Sequence, residues 1–365
     1  MSTSLHKYFS KLPDPRSNKN QKHSFTDIVV LTVIAVICGA ESWDDIELFG
    51  KSKENFLSKI LYLPNGIPSH DTINRVVSSI REDKFEEIFI EWSNSLRDNK
   101  IKNDIISIDG KTVRRSKDTY HNKKPVHIVN VWSYENQLVL GQLKVDEKSN
   151  EITAIPKLLE ILDIEDSIIT IDAMGTQKEI AKKIIKEKAD YILALKGNHS
   201  LLEEEVESIF KVQKNDSSDE DLDKGHGRIE IRNCEVITDL EFLQGKEQWE
   251  GISSIIRITS TRIIRDKTSI ENRLYISSLN SNAKDFNHYI RQHWGVENSL
   301  HYTLDVTFNE DQQRKRNNNA AQNFSIVQKI ALNLLKKEKS KKISIKAKRL
   351  KAAWDNDFLI KVLGI

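Results

Sequence analysis

The first hundred residues carry apolar positions at helical spacing. Residues 25–39 are apolar nearly all round, which predicts a buried helix, while residues 43–61 and 83–96 are amphipathic. Ser69 follows a Pro-rich turn and is expected to cap a helix that runs to Ile80. These elements predict an N-terminal helical domain over residues 1–98. Both a plain helical bundle and a helix-turn-helix unit that recognises DNA ends fit this pattern.

From residue 104 the pattern changes to short apolar and β-branched runs, which predict strands. The predicted strands are 105–109, 127–133, 138–145, 168–172 and 191–195. The predicted helices among them are 153–162 and 176–188, the second beginning with a capping box of Thr176 and Glu179. Two hairpin-like ribbons followed by a β-α-β unit predict a mixed sheet covered by helices.

Residues 196–275 interrupt this alternation. An acidic, polar stretch at 215–223 leads to three predicted strands at 228–238, 252–264 and 272–279, which together indicate a β-rich insertion. A long helix is expected from about residue 283 to beyond His301, despite Gly295, and further helices at 320–337 and 343–362. The chain is thus divided into residues 1–98, a second domain at 99–340 and a basic helical tail at 341–365.

Composition restricts the class of protein. With 365 residues, 38% hydrophobic and 30% charged, the chain is expected to be a soluble globular protein of two or three domains. Cys38 and Cys234 lack metal-ligand spacing, which favours a reducing cytoplasm. The longest apolar run, residues 28–38, is far shorter than the roughly 20 residues of a membrane span. We therefore expect a cytoplasmic protein without a membrane segment or signal peptide.

Charge is unevenly distributed although the net charge is only +2. Residues 336–351 hold nine basic residues and one acid, and residues 110–124 hold six basic residues and one acid. Residues 203–223 hold nine acids and two lysines. Such blocks suit a protein with one polyanion-binding side, although each alone is also typical of a solvated face.

Two aspartates share an uncommon context. Asp109 and Asp172 each follow a buried apolar strand, and each has a glycine one to three residues later. If the two strands are neighbours, both carboxylates face one cleft at the strand ends. Hard oxygen ligands of this kind suit Mg²⁺ or Mn²⁺. The alternative for each aspartate alone is a turn or capping residue.

A third acidic position lies in the predicted long helix. His293, Glu297, His301 and Asp305 recur every four residues and are expected to lie along one side of it. Glu297 would complete a set of three carboxylates that hold two divalent cations for phosphoryl transfer. Two alternatives are a zinc site of His293, Glu297 and His301, which lacks the usual motif, and a glycosidase acid pair, which poorly suits basic surroundings.

Basic and aromatic side chains near the three acids are expected to contact DNA. Arg291 and Trp294 suit a phosphate contact beside an unstacked base, and the imidazoles could contact phosphate or shuttle protons. The predicted DNA-binding residues are Lys111, Arg114, Arg115, Lys196, Arg291, His293, Trp294 and His301.

The sequence resembles bacterial insertion-sequence transposases with an Asp-Asp-Glu site, most closely the H-repeat-associated group. The resembling segments are ISIDGKTVRRS (107–116), VDEKSNEITAIPKLLEIL (145–162), TIDAMGTQKEIAKKI (170–184), ADYILALKGNH (189–199), YISSL (275–279), RQHWGVENSLHYTLDVTFNED (291–311) and NNAAQNFSIVQKIALNLL (318–335), and SHDTINRV (69–76) fits the N-terminal region.

This resemblance implies a ribonuclease-H-like catalytic core with Asp109 and Asp172 on adjacent strands and Glu297 on the helix after the insertion. It also implies cleavage of double-stranded DNA at element ends and strand transfer into target DNA, by a homodimer on the DNA. One signature departs: related enzymes carry Tyr, Arg and Lys where this chain has Ile290, His293 and Leu304. Asp305, Glu310 and Asp311 are therefore alternatives for the third acid.

Two other functions fit the sequence. A catalytically silent remnant could recognise element ends or repress transposition, and a host nuclease or resolvase could use the same scaffold on branched or generic DNA.

Overall fold

The computed structural model describes residues 4–17, 19, 21–97, 101–121, 123–145, 150–225, 227–265 and 267–365. The N-terminal region is helical, as predicted. Ser69 caps its helix by accepting a hydrogen bond from the Thr72 amide at 3.4 Å. The predicted helix 43–61 is two shorter helices that meet at Lys53. The bounds are α1 Ser4–Phe9, α2 Phe25–Ile37, α3 Trp43–Ser52, α4 Glu54–Leu57, α5 His70–Ser79 and α6 Glu82–Ser95.

The described residues form a nine-stranded mixed sheet in the order β3-β2-β1-β4-β5-β9-β8-β7-β6. Strands β1, β4 and β5 run parallel, and the other neighbouring pairs are antiparallel. This confirms the predicted ribonuclease-H-like mixed α/β fold. The bounds are β1 Ile105–Val113, β2 Val126–Ser133, β3 Leu138–Val145, β4 Ile168–Ile171, β5 Asp190–Leu195, β6 Ser217–Gly225, β7 Arg228–Ile237, β8 Ser254–Ile264 and β9 Lys267–Ser277.

Helices cover both faces of the sheet. On one face, α7 (Glu151–Ile161), α8 (Lys178–Lys186) and α9 (Ser200–Val212) bury apolar residues against β1, β4 and β5. On the other face, α10 (Ala283–His293) packs on the alternate residues of β4, β5, β7 and β8. Successive strand residues point to opposite faces, so Asp109 lies on the face of Ser107, away from Ile108.

The predicted capping box at Thr176 is wrong. Helix α8 begins at Lys178, and the Thr176 hydroxyl donates to the carbonyl oxygen of Ala194 at 2.6 Å. This threonine therefore joins the turn after β4 to β5 and is not available to cap the helix.

The insertion extends the same sheet, because β9 pairs with β5. Two of its elements were not predicted. Helix α9 begins it, and the acidic, polar stretch at 215–223 includes most of the edge strand β6. Strand β6 carries its acids on alternating faces and pairs with β7 over its whole length.

The C-terminal helices share one apolar core with the N-terminal helices. This core also takes in residues from α11 (Tyr302–Phe308) and α12 (Ala320–Lys337). The predicted helix 343–362 is α13 (Ile345–Trp354) and α14 (Asn356–Leu363), with Asp355 capping the second. A membrane-spanning helix would need a longer apolar run than any helix has in the described part of the chain.

Candidate active site

Asp109 and Asp172 occupy equivalent positions on neighbouring parallel strands. The β1–β4 register pairs Ile108 with Ile171, and each aspartate is the next residue. Asp172 directly follows β4, and its carboxylate accepts a hydrogen bond from the Gly175 amide at 3.3 Å. Asp109 does not end its strand as predicted, because β1 continues to Val113 along β2. The two carboxylates therefore share one edge of the β1–β4 pair.

Burial and like charges disfavour the ionised form of Asp109. Burial is the largest cause, and the negative charges of Asp172, Glu151 and Glu297 add to it, which together raise the pKa of Asp109 to about 7. Burial also raises the pKa of Asp172, against which the charge of Lys196 acts. A group of carboxylates that repel one another in this way is suited to holding a cation.

Glu151 also belongs to this group, although it was not among the predicted site residues. Its Oε1 lies 2.6 Å from Nε2 of His127, whose Nδ1 lies 2.8 Å from the Thr112 hydroxyl. A Cβ atom on Gly110 would come within 1.9 Å of Oε1 of Glu151, so any larger residue there would displace the Glu151 carboxylate. Glu151 begins α7 within a segment of the family resemblance, which was its only signal.

The predicted continuous helix around Glu297 is interrupted. Helix α10 ends at His293, a π-helical segment spans Val296–His301, and α11 begins at Tyr302. Irregular π segments within helices often occur at functional sites. Here the segment leaves Glu297 exposed, at the margin of a groove, while its neighbours Val296 and Leu300 are buried.

The two histidines that flank Glu297 at four-residue spacing, His293 and His301, face the sheet. Nδ1 of His293 lies 2.9 Å from the Thr170 hydroxyl, and Nδ1 of His301 lies 3.5 Å from Oδ2 of Asp109. Burial lowers the pKa of each histidine to about 4. Since both imidazoles are then neutral, His301 contacts Asp109 as a polar neighbour and not as a counter-ion.

Lys111 is not placed to contact DNA, contrary to the prediction. It is 8% exposed, and its Nζ donates to Asp305 at 2.6 Å, to Glu310 at 2.8 Å and to Asp311 at 3.3 Å. Burial opposes its charge, but the three carboxylates outweigh burial and raise its pKa. The same bonds occupy all three alternatives for the third acid, which favours Glu297.

A groove of about 710 Å³ runs from Glu297 across the insertion strands, and arginines from β7, β8, β9 and α10 line it. Arg291 is ion-paired with Asp221 and, at 2.8 Å, with Asp223 of β6. Its charge is therefore already paired, whereas it was predicted to contact a phosphate. Trp294 lies in the groove with the Arg273 guanidinium 4.5 Å from its ring.

The remaining predicted DNA contacts lie on the surface. Lys196 is exposed just after β5, and Arg114 and Arg115 are exposed just after β1. The two predicted histidine contacts, His293 and His301, are instead directed at the sheet.

No group of three or more His, Cys, Asp or Glu side chains in the described ranges is assembled closely enough to hold a metal ion. The three predicted carboxylates are thus not within common reach of one metal ion in this structure. The same holds for the alternative zinc ligands His293, Glu297 and His301. The donor chemistry nonetheless fits a divalent cation. Asp109 and Asp172 offer oxygen ligands, and their mutual repulsion would be relieved by positive charge.

Comparisons with known proteins agree with this architecture. A family model described as "Transposase DDE domain" matches residues 100–334, and one described as "DDE_Tnp_1-associated" matches residues 6–93. The "H repeat-associated putative transposase YhhI" of Escherichia coli (strain K12) is 42% identical over 99% of this chain and 97% of that protein. The "Putative transposase YncI" of Escherichia coli O157:H7 is 45% identical over 99% of this chain and 94% of that protein.

Among solved structures, a piggyBac transposase synaptic complex with hairpin DNA matches with a TM-score of 0.48 at 12% identity, covering 99% of this chain and 78% of that one. The two family models and the relatives that match over nearly their whole length determine the family. The chain is therefore a member of the transposase family with a DDE domain, and it is similar to the H repeat-associated group.

Proposed function

We propose that this chain cleaves double-stranded DNA at the ends of an insertion sequence and joins those ends to target DNA, using Asp109, Asp172 and Glu297. The observation that carries the proposal is the matched placement of Asp109 and Asp172 beside β1 and β4, with the charge of Glu297 acting on Asp109. Two carboxylates from distant parts of the chain, Asp172 and Glu297, thus act on Asp109.

Asp109 and Asp172 would hold a divalent cation, Mg²⁺ or Mn²⁺, and Glu297 would complete a site for two such ions. Ions bound there would activate the attacking oxygen and stabilise the leaving oxygen of the phosphodiester. Neutral His301 lies against Asp109, with its Nδ1 at 3.5 Å from Oδ2, and its Nε2 lies 3.3 Å from the side-chain amide of Asn130 on β2. Glu297 is exposed and can approach a phosphate without rearrangement of the core.

DNA would enter along the arginine-lined groove, in which Arg291 and Trp294 lie beside Glu297. Arginine side chains neutralise phosphates, and an indole ring can stack on an unpaired base. Lys196, beside Asp172, would contact the cleaved strand. We expect two copies of the chain to act together on DNA.

The test is nicking of a labelled duplex copied from the DNA that flanks the gene, in the presence of Mg²⁺ or Mn²⁺. Wild type is expected to nick the duplex, and Asp109→Asn is expected to bind it with equal affinity in a gel-shift assay but not to cut it. Binding by wild type without cleavage in either metal would favour the catalytically silent DNA-binding protein instead. Cutting of branched or unrelated duplexes at the same rate would favour a host nuclease.

A further inference from the structure

The surface beyond the end of β1 carries basic side chains that lack partners. Two segments form it, residues 114–117 with 123–124 and residues 312–317, and we name it the basic ridge. Among the described residues, its exposed side chains with no hydrogen bond or ion pair are Arg115, Lys117, Lys123, Lys124, Arg314 and Arg316. Unpaired cations at this density form a strong site for a polyanion.

Specific contacts hold the two segments together. Nε of Arg114 lies 3.3 Å from Oδ2 of Asp311, and Asp311 also accepts a hydrogen bond from buried Lys111 at 3.3 Å. The second segment therefore extends the surface that follows β1, and both parts are tied to the strand that carries Asp109.

Lys315 fixes the direction of its neighbours. It is 8% exposed, its Nζ donates to the carbonyl oxygen of Glu41 at 2.5 Å, and it lies 3.6 Å from the centroid of the Phe324 ring. Because Lys315 points inward, Arg314 and Arg316 are presented to solvent on either side of it. The arginines are thus held in place by a buried anchor in an otherwise irregular segment.

Several arginines of the groove, unlike the named side chains of the ridge, are ion-paired with carboxylates. Arg262 is paired with Glu230 at 2.9 Å, Arg273 with Glu271 at 2.9 Å, and Arg291 with two aspartates. At each of these three paired arginines a phosphate must replace a carboxylate, whereas Arg232 of the groove and the six named side chains of the ridge have no carboxylate partner among the described residues. The ridge is therefore the better surface for binding any duplex through its backbone, whatever its sequence.

The two basic surfaces occupy different parts of the fold. The groove covers β7, β8 and β9, which lie beyond β4 and β5 in the sheet order, and the ridge lies past the end of β1. Arg114 is five residues beyond Asp109 along β1, roughly 16 Å at about 3.3 Å per residue. A duplex on the ridge can thus bring one phosphate to the carboxylates while a second DNA occupies the groove.

We propose that the basic ridge binds target DNA, as a duplex recognised through its phosphates, while the groove holds the element end. This assignment rests on the proposed function, because only a joining reaction brings two DNA molecules to one site.

The test compares Arg314→Glu/Arg316→Glu with the matched control Lys341→Glu/Lys342→Glu, which reverses two exposed charges in the segment after α12. Fluorescence anisotropy measures the affinity of each full-length variant for a random-sequence duplex over a salt series. Thermal melting by circular dichroism verifies that each variant is folded. A second arm measures nicking at the element end and joining to a supercoiled plasmid.

The ridge variant is expected to bind the random duplex at least tenfold more weakly, with a salt slope smaller by about 2 for two lost phosphate contacts. Nicking should stay within about twofold of wild type while joining falls in proportion to the lost duplex affinity. The control should match wild type in every measurement.

An unchanged affinity of the ridge variant for the random duplex overturns the proposal. An equal loss of nicking and joining also overturns it, because the ridge would then hold the element end. If wild type cuts no DNA at all, the proposed function fails, but the random-duplex measurement still decides whether the ridge binds DNA.

Discussion

Nζ of Lys111 lies 2.8 Å from Oε2 of Glu310, and both side chains are buried. Glu310 also accepts a hydrogen bond from the Ser325 hydroxyl at 2.7 Å and lies 3.6 Å from Nζ of Lys329 on α12. This network joins the strand that carries Asp109 to the helix that closes the core. Its contribution is structural, since each charge in it is buried against an opposite charge.

Lys111→Met should therefore destabilise the protein. It removes the buried cation that Glu310, Asp305 and Asp311 share, and removal of one partner of a buried ion pair costs about 3 kcal/mol. Urea unfolding followed by circular dichroism measures the free energy of unfolding. Arg114→Met, whose side chain is 82% exposed, is the control. Equal stability of the two variants would contradict a buried network at Lys111.

Arg349 shows why the basic tail is more than a charged surface. Its guanidinium donates to the carbonyl oxygen of Val36 at 2.9 Å, at the end of α2, and to that of Thr307, near the end of α11. Cations at helix C-termini satisfy free carbonyl groups and oppose the helix dipole. Arg349→Met should lower the free energy of unfolding by about 2 kcal/mol. Lys346→Met, an exposed change on the same helix, should leave it unchanged. An equal loss in both variants would mean that the hydrogen bonds of Arg349 to the two helix ends do not stabilise the fold.

Buried Glu86 should make stability depend on pH. Burial raises its pKa to about 8 from an ordinary value of 4.5, and its Oε1 accepts a hydrogen bond from the Lys144 amide at 3.1 Å. The folded state keeps the proton that the unfolded state loses, so the contribution of this group is complete below about pH 4.5 and is lost as pH rises toward about 8. Glu86→Gln should remove the part of the stability loss at rising pH that comes from this group. The check is the urea midpoint against pH for both proteins, and parallel curves would refute the assignment.

The acidic edge strand β6 should weaken DNA binding. Ser217, Asp219, Asp221 and Asp223 alternate along one face of β6 and contact positions 283, 287 and 291 of α10. Asp221→Asn/Asp223→Asn would release Arg291 into the groove. We expect tighter binding of duplex DNA and a salt slope steeper by about 0.9 for one gained phosphate contact.

The control for β6 is Glu220→Gln, which removes a charge from the opposite face of the same strand. Because Glu220 does not contact Arg291, this variant should gain less affinity than the double variant. A gain in affinity per removed charge that is equal for both faces would indicate general electrostatics and not release of Arg291.

Much of the fold could be predicted because its signals are local. The apolar runs before Asp109 and Asp172 predicted two strands, and the family resemblance placed them side by side, as the β1–β4 register does. The helix expected at 320–337 has the bounds of α12. These features depend on patterns within about ten residues of chain.

The predictions that were wrong, and the features that were missed, involve contacts between residues distant in sequence. Lys111 follows Asp109 by two positions and so lies on the same face of β1, but only the fold places Asp305 and Glu310 there. Thr176 has capping-box spacing, yet a carbonyl of β5 takes its hydroxyl. Glu151 and the π-helical segment Val296–His301 carry no distinctive local pattern.

The most direct test of the proposed metal site is Mn²⁺ binding to the full chain, measured by electron paramagnetic resonance as loss of the free-ion signal. Wild type should bind Mn²⁺, and Asp109→Asn and Asp172→Asn should each bind it at least tenfold more weakly, while Asp311→Asn, outside the proposed ligand set, should bind like wild type. Equal Mn²⁺ affinity of Asp109→Asn and wild type would contradict a metal site that includes Asp109.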